Sequence, residues 1–315
     1  EDAAGIRRIT LTNGSGQLRV LELTSYGEMV LAPADSDRAH PAFSNLFVET
    51  EWHPWCAAIT ATRRPRSAKD RALVCAHVVD VRQSAPVSCE TDRARFIGRG
   101  RSLRRPVALD ADGPLSGTTG AVLDPIFALR VRVELEPGDT AQVAFTTLVA
   151  ATREEAFALA DRYHHPQAAQ RALDLAWTST QVELRELEVS PADACVFQEI
   201  AGGLMYATPA TRAPAEELAK NRGSQPLLWA QGISGDWPIV LATIDEQAGL
   251  PTLRELFAAH HYWRRRGMTV DLVVLNTQPS LYLRELANDI TAGLFGSSDS
   301  GMLDRPGGVF IVQKD

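Results

Sequence analysis

Two runs decide the fold: Ile126-Phe127-Ala128-Leu129-Arg130-Val131-Arg132-Val133-Glu134-Leu135 and Ala141-Gln142-Val143-Ala144-Phe145-Thr146-Thr147-Leu148-Val149, with Glu136-Pro137-Gly138-Asp139 between them. Both are rich in β-branched and aromatic residues, and the four residues that join them carry turn chemistry. Toward the start of the chain, Leu46 to Trp52, Ile59 to Arg63 and Val74 to Val81 read as further strands. Arg8-Ile9-Thr10-Leu11-Thr12 and Leu18-Arg19-Val20-Leu21-Glu22-Leu23 alternate apolar with polar, and Asn13-Gly14-Ser15-Gly16 between them supplies residues that accept positive φ. This pair is expected to close as a hairpin. Strands in succession from Ile6 to Ala150, with no helix between them, predict an antiparallel sandwich with one solvated face.

The texture changes at Thr152. Thr152-Arg153-Glu154-Glu155 has the capping-box pattern, with the Thr hydroxyl placed for the amide three residues on and Glu155 for the cap amide. Pro166 suits the first turn of a second helix, which Leu173, Ala176, Trp177 and Leu184 continue at helical spacing. Ser190-Pro191-Ala192-Asp193 opens a third, with Val196, Ile200, Leu204 and Tyr206 along one side. Thr208 to Pro238 is loop-rich, and such loops in a compact protein are usually functional or held by specific contacts. Beyond it, Ile239 to Ala242, Val270 to Leu275 and Val309 to Val312 are nearly continuous apolar runs, the pattern of strands buried on both faces. Helices at about Thr252 to Arg266 and Ser280 to Leu294 separate them, so the order βαβαβ predicts a small parallel sheet with right-handed crossovers. The predicted class is α+β, in three parts: a β-sandwich over 1–151, a helical linker and loop region over 152–237, and a βαβαβ layer over 238–315. The chain starts and stops almost directly on strand patterns, which is expected of a piece of something longer.

The 315 residues are 45% hydrophobic and 23% charged, an ordinary globular makeup that excludes disorder and collagen. The net charge of −7 disfavours a nucleic-acid partner. Only Lys69, Lys220 and Lys314 are lysines, so 32 − 3 = 29 of the basic residues are Arg. A GC-rich genome explains that bias, with forked pairing to carboxylate or phosphate as the chemical alternative. Cys56, Cys75, Cys89 and Cys195 show no C-x-x-C pairing and no metal-ligand spacing with the seven histidines, so free thiols in a reducing compartment, no metal site and no cofactor are expected. No run approaches the roughly 18 apolar residues of a membrane span, and Glu1-Asp2-Ala3-Ala4-Gly5 has neither a basic n-region nor an apolar h-region, so a soluble chain is expected.

Sugars are bound by aromatic faces and by carboxylates, amides and Arg forks. Trp52-His53-Pro54-Trp55 offers Trp52 and Trp55 as a stacking platform, against the plainer expectation that the indoles bury themselves in the sandwich. Glu90 to Arg101 carries Arg99 and Arg101 around Gly100, an anion cradle in one reading and a web of Arg–carboxylate pairs involving Glu90 and Asp92 in the other. Leu103 stands where the dinucleotide fingerprint needs a third Gly. Gly232-Ile233-Ser234-Gly235-Asp236-Trp237-Pro238 lacks nucleophile-elbow spacing, which leaves Asp236 as a weak candidate general acid and Asp236 with Trp237 as candidate sugar contacts; the alternative is a tight turn feeding the next strand. The adjacent pairs His164-His165 and His260-His261 make poor zinc ligand sets, and Arg264-Arg265-Arg266 suits a helix C-terminus.

Several strings together resemble one family. Leu21 to Leu31, His40-Pro41-Ala42-Phe43, Leu46 to Glu51 and Arg63-Arg64-Pro65-Arg66-Ser67 are similar to the sandwich region of cyclic β-1,2-glucan synthases, whose C-terminal part belongs with the glycoside phosphorylases of glycoside hydrolase family 94. Glu90 to Arg93, Gly98 to Arg101, Leu123 to Ile126, Gly232 to Asp236, His260 to Trp263 and Asp271 to Asn276 extend the resemblance over nearly the whole chain.

The resemblance implies a soluble cytoplasmic region of a large bacterial inner-membrane enzyme. That enzyme builds β-1,2-glucan from UDP-glucose and trims it by phosphorolysis, through a β-supersandwich, a helical linker and an (α/α)6 barrel with an Asp general acid. This chain has no length for such a barrel, so the catalytic Asp carries over to no position here. Trp237 stands where the family suggests an aliphatic residue. The expected function is a carbohydrate-binding or scaffold region, a partial supersandwich without a complete active site, whose partners are a β-1,2-glucan or related oligosaccharide and the barrel and membrane parts of the same polypeptide. The alternatives are a phosphorylase or hydrolase acting through Asp236, and a purely structural docking module.

Overall fold

The computed structural model describes residues 2–65, 72–80, 86–110, 112–206, 212–278, 283–295 and 300–314. Expectations resting on Arg66, Ser67, Val81, Thr208 and Ser280 lie outside them. The fold is α+β, and the chain divides into two compact units, 1–177 and 178–315.

In the first unit two antiparallel sheets enclose a core. Strands β1 (Ala4–Thr12), β4 (Val48–His53), β5 (Ala58–Arg63), β6 (Val74–Val79) and β9 (Thr140–Ala150) form one sheet in the order β1-β9-β6-β5-β4. In the other, β2 (Arg19–Thr24), β3 (Gly27–Glu28) and β7 (Val87–Asp92) all pair with β8 (Pro125–Leu135). Phe127, Leu129, Val131 and Val133 of β8 meet Ile59, Cys75, Val79 and Phe145 between the sheets. Each such side chain, fully buried, contributes about 1.5–3 kcal/mol, which is what holds the layers together.

The expected hairpin does not form. β1 pairs with β9 and β2 with β8, so the segment between them is a corner that carries the chain from one sheet to the other. Buried Asn13 explains it. Its Nδ2 donates to the carbonyls of Gln17 (2.8 Å) and Leu135 (2.9 Å), and its Oδ1 accepts from the Ser15 amide (3.0 Å). Its backbone exchanges bonds with the β8–β9 corner, Asn13 N–H to Asp139 O and Gly138 N–H to Asn13 O, both 2.9 Å. The two corners therefore brace each other, and the one glycine among them in the left-handed region is Gly138, at φ +85°.

The solvated face is corrected as well. On the outer side of the five-stranded sheet, Ala156, Leu159, Ala160 and Tyr163 of helix α4 cover Ala58, Ala76, Val78 and Leu148. That is why all six residues of β6 are buried. Short helices α1 (Ala34–Ala39) and α2 (Pro41–Asn45) precede β4, and α3 (Arg93–Ile97) follows β7. α4 (Arg153–Tyr163) starts as the sequence predicts, with the Thr152 hydroxyl accepting from the Glu155 amide at 3.2 Å. Glu155 reaches the amide of Ala151 rather than that of Thr152.

The boundary between the units falls within α5 (Pro166–Glu186). In the second unit, α6 (Pro191–Met205) opens on a complete Ser190/Asp193 capping box. Its buried side is Ala194 and Phe197, with Ile200, Ala201 and Leu204 partly covered, while Val196 and Tyr206 are exposed. The inward face is thus turned by one residue from the expected one, because Trp263 anchors it by donating from Nε1 to the Phe197 carbonyl at 2.8 Å. The loop-rich stretch holds two short helices, α7 (Ala215–Lys220) and α8 (Pro226–Trp229). β10 (Ile239–Ile244), β11 (Asp271–Asn276) and β12 (Val309–Gln313) form the predicted parallel sheet, with β11 central. Helices α9 (Leu250–Arg265) and α10 (Leu283–Phe295) share one core with it through Leu253, Phe257, Leu286 and Ile290. β10 is not buried on both faces: Val240 and Ala242 pack against the helical core, while Ile239 and Leu241 on its other face are 37% and 62% exposed.

Candidate functional site

The turn that ends β4 separates the two indoles that adjacency in sequence suggests as one platform. Trp52 shares a face of β4 with Val48 and Thr50 and packs against the core between the sheets. Glu51 and His53 point the other way, toward α4. Trp55, in the turn after β4, is 57% exposed, and its ring lies 6.0 Å from that of Phe157 on α4. Phe157 also takes the edge of His53 at 4.8 Å and the Arg153 guanidinium at 5.1 Å. Arg153 grips both carboxylate oxygens of Glu51, Nη1 to Oε1 at 2.8 Å, and holds that carboxyl below its usual range. His53 bonds the Thr60 hydroxyl at 2.8 Å, and burial lowers its proton affinity. The outcome is an exposed indole framed by an aromatic ring, a guanidinium and a carboxylate, the group types that meet the C–H face and the hydroxyls of a pyranose.

The segment from Glu90 to Arg101 is knit together by its own charges, in part as expected: Asp92 pairs with Arg95 at 3.9 Å, whereas Glu90 takes amides and a hydroxyl instead of an Arg. Buried Glu90 accepts the amides of Thr91 (2.9 Å) and Asp92 (2.7 Å) through Oε1 and the Ser116 hydroxyl through Oε2. Asp92 caps α3 by accepting the Ala94 amide at 2.8 Å. Arg93 bridges Glu28 (3.0 Å) and Asp124 (3.3 Å), and Arg101 pairs with Asp110. Arg99 is exposed and makes no ion pair among the described residues. The hollow at this loop, about 540 Å³, is lined by Arg93, Arg101 and Arg104, and carboxylates already neutralise the first two. Gly98, at φ +85°, lies so close to Val107 that an added Cβ would stand 2.9 Å from it. Behind the loop, buried Arg130 donates to the carbonyls of Gly113 (2.7 Å) and Ala108 and to the Thr24 hydroxyl (2.9 Å), and pairs with Glu22 at 3.3 Å. It clamps Ala108 and Gly113 to the sandwich.

Asp236 and Trp237 are both exposed in the loop before β10. Asp236 accepts from Gln225 Nε2 at 3.0 Å, and Gln225 and Trp229 both donate to the Ser234 carbonyl. The Ser234 hydroxyl is taken up by the Asp236 amide at 3.1 Å. Gly235 sits at φ +72° with Leu228 and Gln225 at about contact distance from where a Cβ would be, so the turn is tightly specified. Among the described residues, no group of three or more His, Cys, Asp or Glu could hold a metal ion. The Arg triplet pairs with acids of α5, Arg265 with Glu186 at 3.3 Å and Arg266 with Glu183 at 3.0 Å.

One polar group escaped the sequence reading. His77 stands alone in the apolar run Val74-Cys75-Ala76-His77-Val78-Val79, which was the available signal. It is 8% exposed, stacked between Phe127 (5.5 Å) and Phe145 (6.0 Å), with Nε2 at 2.9 Å from Ser25 Oγ and Nδ1 at 2.8 Å from Thr147 Oγ1. Ser25 Oγ already accepts the Leu129 amide at 3.0 Å, and Nε2 is the nearest acceptor for its proton. This pattern assigns the ring proton to Nδ1, donating to Thr147. Burial, and the Arg7 cation after it, push the imidazole down to about 4, so it is neutral at pH 7. A base that weak does not activate Ser25 as a nucleophile. His77 closes the floor of an open cleft of about 840 Å³ between the sheets, which Arg7, Thr147 and the β2–β3 segment also line. On its rim Tyr26 donates to Glu28 at 2.7 Å; burial and that carboxylate push the phenol up to about 12.

The family model described as the glycosyl hydrolase 94 supersandwich domain matches residues 1–166, more than half of the chain. The chain belongs to that family. The glycosyl hydrolase 94 match ends shortly after α4, so it includes both sheets and the helix that covers them. The chain is also 38% identical, over 317 aligned residues, to the cyclic beta-(1,2)-glucan synthase NdvB of Rhizobium meliloti (strain 1021). The similarity covers 100% of this chain and 11% of that relative's length. It therefore extends through the parallel sheet as well as the glycosyl hydrolase 94 supersandwich.

Proposed function

We propose that this chain is a carbohydrate-engaging scaffold region of a cyclic β-1,2-glucan synthase-like protein, without a complete active site of its own. The observation that carries it is the exposed Trp55 indole beside Phe157 and the Glu51–Arg153 pair, on a chain that aligns over its whole length with a protein named as a glucan synthase. Trp55 covers one sugar face, and Glu51 and Arg153 satisfy the hydroxyls at its edge. Trp52 acts as core. The remainder of the longer polypeptide is the second partner, placed in or against a bacterial inner membrane with this region on its cytoplasmic side. No helix among the described residues is long and apolar enough to cross a membrane itself. Calorimetric titration of linear and cyclic β-1,2-glucans into the chain tests the reading. Heat with either glucan, abolished by Trp55→Ala, supports it; no heat with either leaves the structural docking role.

A second reading rests on Asp236, an exposed carboxyl beside exposed Trp237 in a Gly-rich loop. In it the chain acts on β-glucan as a phosphorylase or hydrolase. Phosphate-dependent release of glucose 1-phosphate, or phosphate-independent release of reducing sugar, lost on Asp236→Asn, is its signature. Activity that survives the substitution, or none at all, rules it out.

A further inference from the structure

The cleft between the sheets is poorly made for a sugar. The His77 ring takes one face each of Phe127 and Phe145, both phenyls are buried, and Tyr26 packs on Phe96 at 5.1 Å, so these rings offer little open face for stacking. The cleft's one carboxylate among the described residues, Glu28, is countered by Arg93 and takes the Tyr26 hydroxyl, both through Oε1, and Ser25 and His77 satisfy each other. The groups left to meet an anion are the Thr147 hydroxyl, which accepts from Nδ1–H and keeps its own proton, and the Arg7 guanidinium, which makes no ion pair among the described residues. Beside them the walls are aliphatic, from Ile9, Leu23, Met29 and Leu31. The volume, about 840 Å³, falls in the range of small-molecule pockets, roughly 300–1,000 Å³.

We infer that this cleft binds an aliphatic carboxylate, the oxyanion held by Arg7 and the Thr147 hydroxyl and the hydrocarbon chain laid along Ile9, Leu23, Met29 and Leu31. A guanidinium with no ion-pair partner among the described residues supplies a charge-assisted fork for the carboxylate, and the aliphatic wall rewards each methylene taken out of water. This site lies on the opposite side of the five-stranded sheet from Trp55, and it stands or falls separately from glucan binding.

The test uses the full chain and decanoate below its critical micelle concentration, followed by calorimetry and by the imidazole signals of His77 in long-range 1H–15N spectra. Decanoate is expected to bind at pH 7, where it is ionised, and to shift the His77 ring signals, because the bound carboxylate sits beside Thr147, the partner of Nδ1. Affinity falls about two- to fourfold per methylene removed from decanoate to hexanoate. Arg7→Gln, at an exposed position that folding does not need, weakens decanoate about tenfold or more. Decanol binding as tightly as decanoate, unchanged affinity in Arg7→Gln, or a β-1,2-linked glucose disaccharide shifting the His77 signals where decanoate does not, each overturns the proposal.

Discussion

Acid should unfold the sandwich through His77. The ring is held neutral between Phe127 and Phe145, with a folded pKa of about 4 against an ordinary value of 6.5. A histidine with a depressed folded pKa takes up its proton on unfolding, so its contribution to stability is fully present above about pH 6.5 and is lost as the pH falls toward 4. The difference of 6.5 − 4 = 2.5 units corresponds to about 3 kcal/mol at 1.36 kcal/mol per unit. That is a large part of the roughly 5–15 kcal/mol a domain has in total. The perturbation is pH, and the control is His77→Gln, whose amide can meet Ser25 and Thr147 without titrating. Urea unfolding curves at half-unit steps from pH 7.5 to 4 measure both proteins. The wild type should lose about 3 kcal/mol more than the variant over that range, with the steepest loss between pH 6 and 4.5. Parallel pH profiles for the two, or a His77 signal that titrates near 6.5 in the folded protein, would refute the reasoning.

Arg130→Met removes the clamp on Ala108 and Gly113 and strands their two carbonyls and Glu22, so it should cost about 3 kcal/mol in urea unfolding, with the amides of Ala108 and Gly113 exchanging faster. In the native state an alkylating reagent should modify Cys195 quickly and Cys56, Cys75 and Cys89 slowly, since burial pushes the latter thiols up to about 11, 12 and 11; mass spectrometry before and after denaturation counts one against four. Ser190→Ala breaks a complete capping box and should destabilise the second unit by about 1 kcal/mol, read as an earlier denaturation midpoint for its tryptophan signal.

The strands themselves were legible in sequence because period-two alternation is a property of the strand alone. Their partners were not. Whether β1 and β2 form a hairpin or a corner depends on Asn13, whose side chain reaches Leu135, 122 residues away. The covering of the outer sheet by α4 was hidden for the same reason: Ala156 and Ala160 are small enough to belong to either a buried or an exposed face. The parallel sheet was legible because β11 is a continuous apolar run, while nothing local in Ile239 to Ala242 marks that one face of β10 stays uncovered, which leaves Leu241 exposed. At the candidate site, adjacency made Trp52 and Trp55 look like one platform, but Trp52 belongs to the strand and faces the core, while the turn after it carries Trp55 outward. The Arg–carboxylate web around α3 was visible as composition. Its pairing was not, since Arg93 selects Glu28 and Asp124 from other strands and connections.

On the proposed function, glucan is met by Trp55 outside the sandwich. Indole 1H–15N signals of the full chain, assigned by single Trp→Phe substitutions, can be followed during titration with linear β-1,2-glucan. A saturable shift of the Trp55 indole is expected, with Trp52 unmoved and the response gone in Trp55→Phe. Saturable shifts at Trp52 or Trp237 with Trp55 unchanged, or no shift at any indole, would contradict it.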